Sequence, residues 1–228
     1  MMSSFPHIQT ARIASTRRRF LAAAGSAATI GARPAFAQRS PVTPDEAIKR
    51  LMDGNGRFVG GRILSFNEDL TILKDHTVPK QEPFAAVLSC IDSRVPVEIV
   101  FDQSIGHIVV SRVAGNICTP EIIASLEYGA YKLGAAAIMV LGHADCGAVQ
   151  ATIAAGAVPG QISALYAPLR QAVERSGHDP DNVARENAKI QANLLRTASP
   201  LIADLVKNGK VKVVPAFFAL DTGIVTLL

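Results

Sequence analysis

Short apolar runs recur along the chain, separated by longer segments in which apolar residues have helical spacing. A continuous apolar run between polar or turn residues is typical of a strand buried on both faces of a parallel sheet. We expect such strands over 84–90, over 107–115, over 135–143 and at the start of 210–228. In the last segment, Asp221-Thr222-Gly223 predicts a turn, and the residues after it predict an edge strand.

Helix signals occupy the intervening segments. Thr43 is placed to cap a first helix, Pro44 suits its first turn, and Glu46 follows three residues after the cap. Further helices are expected over 119–134, around 161–176 and around 182–207. Strands that alternate with helices predict an α/β fold, with a mostly parallel central sheet flanked by helices. In such sheets, ligands bind at the carboxyl ends of the strands.

The N-terminus has a different composition from the rest of the chain. Residues 1–37 contain five arginines and no acidic residue, and run through TRRRFLAAAGSAATIGA (16–32) to AFA (35–37). Paired arginines, a short apolar segment and an A-x-A-like site, in this order, predict a twin-arginine export signal peptide. We therefore expect a single domain over 38–228, periplasmic or secreted. The alternatives are a helix of the domain or a membrane anchor, for which the apolar segment is short.

The charge of the chain depends on that segment. The whole chain has a formal charge of +4, but without the five arginines 18 basic residues face 19 acidic ones. The predicted mature chain therefore has no excess of positive charge with which to bind nucleic acid or anionic lipid. No apolar run reaches the roughly 18 residues that cross a bilayer, so we expect no stable membrane span.

Candidate chemistry follows two of the predicted strands. SCIDSRVP (89–96) places Cys90, Asp92 and Arg94 at alternate positions, and LGHADCGAV (141–149) contains His143 and Cys146. Two thiolates and one imidazole are a ligand set for zinc that leaves a fourth position open, as in catalytic sites. The spacing alone leaves two alternatives for the cysteines: small buried apolar residues, or a disulfide between them.

Asp92 and Arg94 also have two interpretations. Asp92 caps the helix that follows and Arg94 neutralises it, or Arg94 holds the Asp92 carboxylate beside a metal. The second interpretation explains why both residues flank a candidate ligand.

Several segments together resemble the β-class carbonic anhydrases, over essentially the whole chain after about residue 44. The matching segments are NGRF (55–58), Gln81, CIDSRVPVEIVFDQ (90–103), RVAGN (112–116), SLEYG (125–129), VLGHADCGAV (140–149) and ALDTGIVTLL (219–228). The resemblance implies about four parallel strands plus an antiparallel edge strand. It also implies one Zn²⁺ per subunit, bound by Cys90, His143 and Cys146.

The activity that the resemblance implies is that of a carbonate dehydratase, a lyase. Zinc-bound hydroxide would attack CO₂ and give bicarbonate and a proton, with Asp92 and Arg94 as the catalytic pair. Gln81, Tyr128 and Gly115 would line the substrate pocket. The protein would be a homodimer or a higher homo-oligomer, and its precursor would meet the twin-arginine export machinery.

Two other functions are compatible with the sequence. One is hydrolysis of CS₂ or COS on the same scaffold. The other is a non-catalytic exported protein that binds zinc or is stabilised by a disulfide.

Overall fold

The computed structural model of the chain describes residues 42–65, 78 and 80–228, and the predicted export segment lies outside them. The strands are β1 (Ala85–Ser89), β2 (Ile108–Arg112), β3 (Ala137–His143), β4 (Lys212–Phe218) and β5 (Val225–Leu227). They form one sheet in the order β2-β1-β3-β4-β5. The first four strands in this order pair in parallel, and β5 is antiparallel to β4. The predicted α/β fold with an antiparallel edge strand is confirmed.

Seven α-helices flank this sheet within the described residues. They are α1 (Pro44–Val59), α2 (Val97–Val100), α3 (Pro120–Glu127), α4 (Gly147–Ala154), α5 (Tyr166–Ser176), α6 (Pro180–Ala198) and α7 (Pro200–Lys207). The predicted cap of the first helix is confirmed, because Thr43 Oγ1 accepts a hydrogen bond of 3.2 Å from the Glu46 amide. No helix in the described part of the chain combines the length and apolar character needed to cross a membrane.

The structure corrects two of the predicted helices. The one expected around 182–207 is two helices, because Pro200 has no amide hydrogen and its ring excludes the carbonyl four residues earlier. Ser199 caps the second of them, its Oγ accepting from the Ile202 amide at 3.0 Å. The helix expected over 119–134 is α-helical only to Glu127 and continues as one π-helical turn, Tyr128–Lys132.

The core lies on both faces of the sheet, as the continuous apolar strands predict. Successive residues of β1 point to opposite faces. Ala85 and Val87 pack on the side of α1 and α2. Ala86 and Leu88 pack on the other side, against α6 and α7. Every residue of β1 is therefore buried.

The strand order places a crevice at the carboxyl end of β1. The chain passes from β1 to β2 on one side, and β3 then pairs with β1 on the other side. Such a reversal of strand order separates the crossover connections and opens a ligand crevice above the two strands. In the β1–β3 register Ser89 lies opposite Leu141, so the residues that follow β1 face the end of β3.

A buried carboxylate ties the end of α1 and the residues after it to the end of α2. The Asp102 side chain is fully buried and accepts hydrogen bonds from Arg57 Nε at 2.5 Å and from the Leu64 and Ser65 amides at 2.8 Å. Burial alone would raise the pKa of Asp102. The hydrogen bonds from Ser65, Arg57 and Leu64 outweigh that effect and hold the pKa below its usual value.

We expect the Asp102→Asn variant to lose about 1–3 kcal/mol of unfolding free energy at pH 7, since Arg57 loses its charged partner. The folded-state pKa lies below the unfolded value of about 3.9. The contribution of the carboxylate is therefore complete above that pH and is lost as the pH falls through the folded-state pKa. Urea unfolding of both proteins should show a difference that shrinks towards pH 3.

The matched control is Asp53→Asn, which changes an exposed acid on α1, the helix that carries Arg57. Its unfolding free energy should stay within about 0.5 kcal/mol of wild type. A difference for Asp102→Asn that is no larger than this control, or that is constant between neutral and acid pH, would show that the buried carboxylate has no such role.

Candidate metal centre

Three ligand side chains from two parts of the chain converge at the carboxyl end of the sheet. Cys90 directly follows β1, and His143 is the last residue of the neighbouring strand β3. Cys146 lies at the N-cap position of α4. Their sulfur and nitrogen atoms all lie within 4.8 Å of one another, and the three residues are buried. The structure thus brings together the three residues predicted to bind metal.

The His143 ring is oriented for coordination through Nε2. Its Nδ1 donates a hydrogen bond of 2.8 Å to the Ala144 carbonyl, which fixes the neutral tautomer with the Nε2 lone pair free. The buried Nε2 has no hydrogen-bond partner among the described residues. An orphaned buried acceptor is costly, and a metal ion at the ligand cluster satisfies it.

The pKa values of the two thiols are shifted in opposite directions. The hydrogen bond from Cys146, together with the one from the Gly115 amide, lowers the pKa of Cys90 despite its burial. The hydrogen bond to Cys90, together with burial, raises the pKa of Cys146. Binding of a divalent cation by both sulfurs would require both thiols to lose their protons.

The chemistry of the three residues fits zinc. Two thiolates and an imidazole select Zn²⁺ over Mg²⁺ or Ca²⁺, which prefer oxygen ligands. All three cysteines of the chain are free. The disulfide between Cys90 and Cys146 that the sequence left open is therefore not formed.

Asp92 and Arg94 form a closely bonded ion pair beside this cluster. Arg94 Nη2 lies 2.9 Å from Asp92 Oδ2, and both Arg94 Nε and the Arg94 amide donate to Oδ1 at 3.0 and 2.9 Å. These side-chain hydrogen bonds lower the pKa of Asp92 to about 2. Oδ2 also lies 4.0 Å from His143 Nε2. The carboxylate is therefore ionised and close to the proposed metal position.

Asp92 does not cap the following helix, so that interpretation is wrong. α2 begins at Val97 with Pro96 at its N-cap and no side-chain capping bond. Asp92 instead forms a local turn, in which its carboxylate accepts a hydrogen bond from the backbone amide of Arg94, two residues later.

Asp145 is a further partner of Arg94 that sequence reasoning missed. Its Oδ2 lies 3.1 Å from Arg94 Nη1, and its carbonyl accepts from Nη2 at the same distance. Gln150 Nε2 donates to the other carboxylate oxygen of Asp145. The backbone amide of Asp145 donates to Asp181 Oδ1 at 3.0 Å. The sequence signal was present, because Asp145 is the acid between His143 and Cys146. Arg94 is consequently held between two acidic side chains.

Two contacts from the segment that begins at the end of β2 hold the backbone and sulfur of Cys90. Arg112 donates to the Cys90 carbonyl at 2.8 Å and to the Asp92 carbonyl at 2.5 Å. The Gly115 amide donates to Cys90 Sγ at 3.4 Å. Gly115 was predicted to line the substrate pocket, and the structure places it against the ligand sulfur.

Gln81 and Tyr128, the other predicted pocket residues, lie elsewhere on the chain. Both are exposed, and with residues of β2 they line a surface depression of about 650 Å³. That depression shares no lining residue with the metal cluster. Within one chain the structure does not bring them to the site.

An α/β sheet with a Cys-His-Cys centre at a strand-order reversal defines a class of metal-dependent protein. The carbonic anhydrase family model matches residues 85–225. Carbonic anhydrase 2 of Mycobacterium tuberculosis is 33% identical over 191 residues, which are 79% of this chain and 90% of that protein. A carbonic anhydrase of Mycolicibacterium smegmatis is 43% identical over 119 residues, 51% and 57% of the respective chains. The chain belongs to the carbonic anhydrase family.

Solved structures show the same fold. The β-carbonic anhydrase of Coccomyxa in complex with acetazolamide superposes with a TM-score of 0.63 at 21% identity, over 79% of this chain and 86% of that one. A β-carbonic anhydrase of Aspergillus fumigatus gives 0.63 at 20% identity, over 70% and 84%.

We expect wild-type protein to hold one zinc ion per chain and the Cys146→Ser variant to bind zinc more than about 100-fold more weakly. Removal of a ligand should exceed the 10–100-fold cost of losing an outer partner. The measurement is elemental analysis together with competition against a chromophoric chelator.

The control for this substitution is Cys118→Ser. Cys118 is half-buried, lies outside the cluster, and burial raises its thiol pKa to about 12. Zinc binding by this control should equal that of wild type. Tight zinc binding by Cys146→Ser would remove Cys146 from the ligand set.

Proposed function

We propose that the chain is a zinc-dependent carbonate dehydratase that interconverts CO₂ and bicarbonate plus a proton. Membership of the carbonic anhydrase family gives the reaction. The observation that carries the proposal is the convergence of two thiols and an imidazole beside an ionised, arginine-bound carboxylate. Zinc at these ligands supplies Lewis acidity, which lowers the pKa of water at the metal from 15.7 towards 7.

The ligand residues prepare the site for that chemistry. Cys90 and Cys146 provide negative charge that neutralises the cation, and His143 presents Nε2 because its Nδ1 is committed to the Ala144 carbonyl. The bonds that Arg112 donates to the Cys90 and Asp92 carbonyls fix the spacing between ligand and carboxylate. The geometry is therefore set before substrate arrives, which avoids reorganisation during the reaction.

Asp92 orients the attacking oxygen. An ionised carboxylate accepts hydrogen bonds and donates none. With a pKa of about 2, Asp92 stays ionised at any working pH. It would therefore accept a hydrogen bond from the attacking oxygen and leave a lone pair of that oxygen directed at CO₂. Arg94 holds the carboxylate in this orientation because Nε and Nη2 of its guanidinium donate to the two carboxylate oxygens. The ammonium group of a lysine could not make this bidentate contact.

The substrate pocket is completed by a second copy of the chain. β2 is the last strand of the sheet in the described residues, and its apolar residues are only half-buried. An uncovered apolar edge strand is a site for pairing with another chain. The exposed Tyr128 and Gln81 line the depression beside this strand, and in the proposed oligomer they would contribute to the site of the partner. Two β-carbonic anhydrases of Sordaria macrospora, which share this fold, are described as tetrameric. Sedimentation that finds only monomer at micromolar concentration would rule out this arrangement.

The enzyme acts outside the cytoplasm. The support is the order of paired arginines, short apolar segment and A-x-A-like site in residues 1–37. Cysteines that bind metal before export are protected from oxidation. Cell fractionation decides this proposal: mature protein should accumulate in the periplasm or medium, and a variant with lysines for the paired arginines should stay inside.

We expect Asp92→Asn to keep its zinc but to lose at least about 100-fold in kcat/KM for CO₂ hydration, the scale of a positioned acid–base group. Asp145→Asn should lose far less, because Arg94 keeps its two bonds to Asp92. Stopped-flow hydration assays on zinc-loaded proteins measure both. Equal losses in the two variants, or full activity of Asp92→Asn, would contradict the role given to Asp92.

A further inference from the structure

The sheet-facing side of α6 carries two amides that the mechanism above does not use. Asn187 is fully buried and Gln191 is 1% exposed, and they lie one helical turn apart. The apolar side chains of Ala184, Ala188 and Ala192 occupy neighbouring buried positions of the helix. Buried amides in an apolar helix face are costly unless every polar atom has a partner. Their partners therefore indicate what they do.

Asn187 bonds directly to the residue that contacts the ligand sulfur. Its Nδ2 donates to the Gly115 carbonyl at 2.8 Å, across 72 positions of sequence. Gly115 lies in a turn with φ +70°, and its own amide donates to Cys90 Sγ at 3.4 Å. A Cβ at this position would meet Leu169 at 3.0 Å, so the residue packs closely from the other side as well. The bond from Asn187 thus fixes the residue that bonds to the sulfur.

Gln191 holds Asn187 in that orientation. Its Nε2 donates to Asn187 Oδ1 at 3.0 Å, so the amide of Asn187 must turn its nitrogen towards Gly115. Its Oε1 accepts from the Cys118 amide at 2.9 Å. The two side chains therefore tie α6 to both ends of the segment 115–118. Asn187 and Gln191 with Gly115 form what we call the amide relay.

The chemical consequence lies at Cys90. An amide that donates to a thiolate withdraws electron density from the sulfur and fixes its lone pairs. We propose that Asn187, oriented by Gln191, is a positioning residue of the metal centre that sets the strength and direction of the Cys90–metal bond through Gly115. This inference rests on the metal site described above, and it assigns a role to a helix that supplies no ligand.

The test compares wild type with two relay variants in full-length protein. Asn187→Asp keeps the acceptor for Gln191 but loses the donor to Gly115. Gln191→Glu keeps the acceptor for Cys118 but loses the donor to Asn187. We expect zinc affinity to fall about 10- to 100-fold in Asn187→Asp, the range for loss of a partner behind a ligand. Gln191→Glu should lose a smaller factor, because the bond from Asn187 to Gly115 remains.

The second readout is spectroscopic. In cobalt-substituted protein, the sulfur-to-cobalt charge-transfer band should move to lower energy in Asn187→Asp and by less in Gln191→Glu. A thiolate whose Gly115 amide donor is no longer held in place receives a weaker hydrogen bond and is easier to oxidise. A purely structural role for the two amides would leave this band unchanged in any variant that folds. Far-UV circular dichroism defines the temperature at which each protein is folded.

The matched control is Asn55→Asp. Asn55 is also a buried amide that donates to two carbonyls, those of Val100 and Gly223, but it ties α1 to the β4–β5 turn. This variant should be destabilised and yet keep the wild-type band and zinc affinity. The same loss in Asn55→Asp as in Asn187→Asp would assign the effect to global stability and overturn the proposal.

The remaining outcomes separate the relay from the metal site. Wild type without a thiolate–cobalt band contradicts the metal site itself. A wild-type band that is unchanged in Asn187→Asp, with unchanged zinc affinity, contradicts the relay alone. If Asn187→Asp does not fold, Gln191→Glu decides the question, and a band and affinity equal to wild type would refute the relay.

Discussion

The parallel pairing of β1 with β3 is the constraint on which the metal centre depends. Its register sets Ser89 opposite Leu141, so Cys90 and His143 leave adjacent strands at the same edge of the sheet. Both faces of these strands are buried and close-packed, so a one-residue slip would force side chains of different size into the opposite layer, and this keeps the two ligands in register. Cys146 then needs only the short turn into α4 to complete the set.

Polar interactions around the centre convert this alignment into a fixed geometry. The Ala144 carbonyl orients His143, Arg112 holds the Cys90 and Asp92 carbonyls, and Gly115 reaches the sulfur. On the solvent side, Arg94 is shared between Asp92 and Asp145. Buried hydrogen bonds hold the ligands on one side of the site, and partly exposed ion pairs hold Asp92 on the other. The exposed pairs contribute little stability, so their value is in orientation.

The sequence predicted the parts of this picture that depend on local pattern. Continuous apolar runs indicated the strands and placed Cys90 and His143 at two strand ends. The spacing alone left the role of the cysteines open, and the resemblance implied that Cys146 completes a zinc site. The break at Pro200 was missed because the apolar spacing continues across it. Asn187 and Gln191 resemble ordinary polar positions of an amphipathic helix, since their partners Gly115 and Cys118 lie over 70 positions away. The role of Asp92 was likewise open, because its distance from His143 is set only in three dimensions.

Zinc K-edge X-ray absorption of the purified, zinc-loaded protein tests the central claim most directly, because it counts the atoms around the metal. The account predicts two sulfur atoms at about 2.3 Å and two lighter nitrogen or oxygen atoms at about 2.0–2.2 Å. A sphere with three or four sulfurs, or one made only of nitrogen and oxygen, would contradict the Cys90, His143 and Cys146 centre.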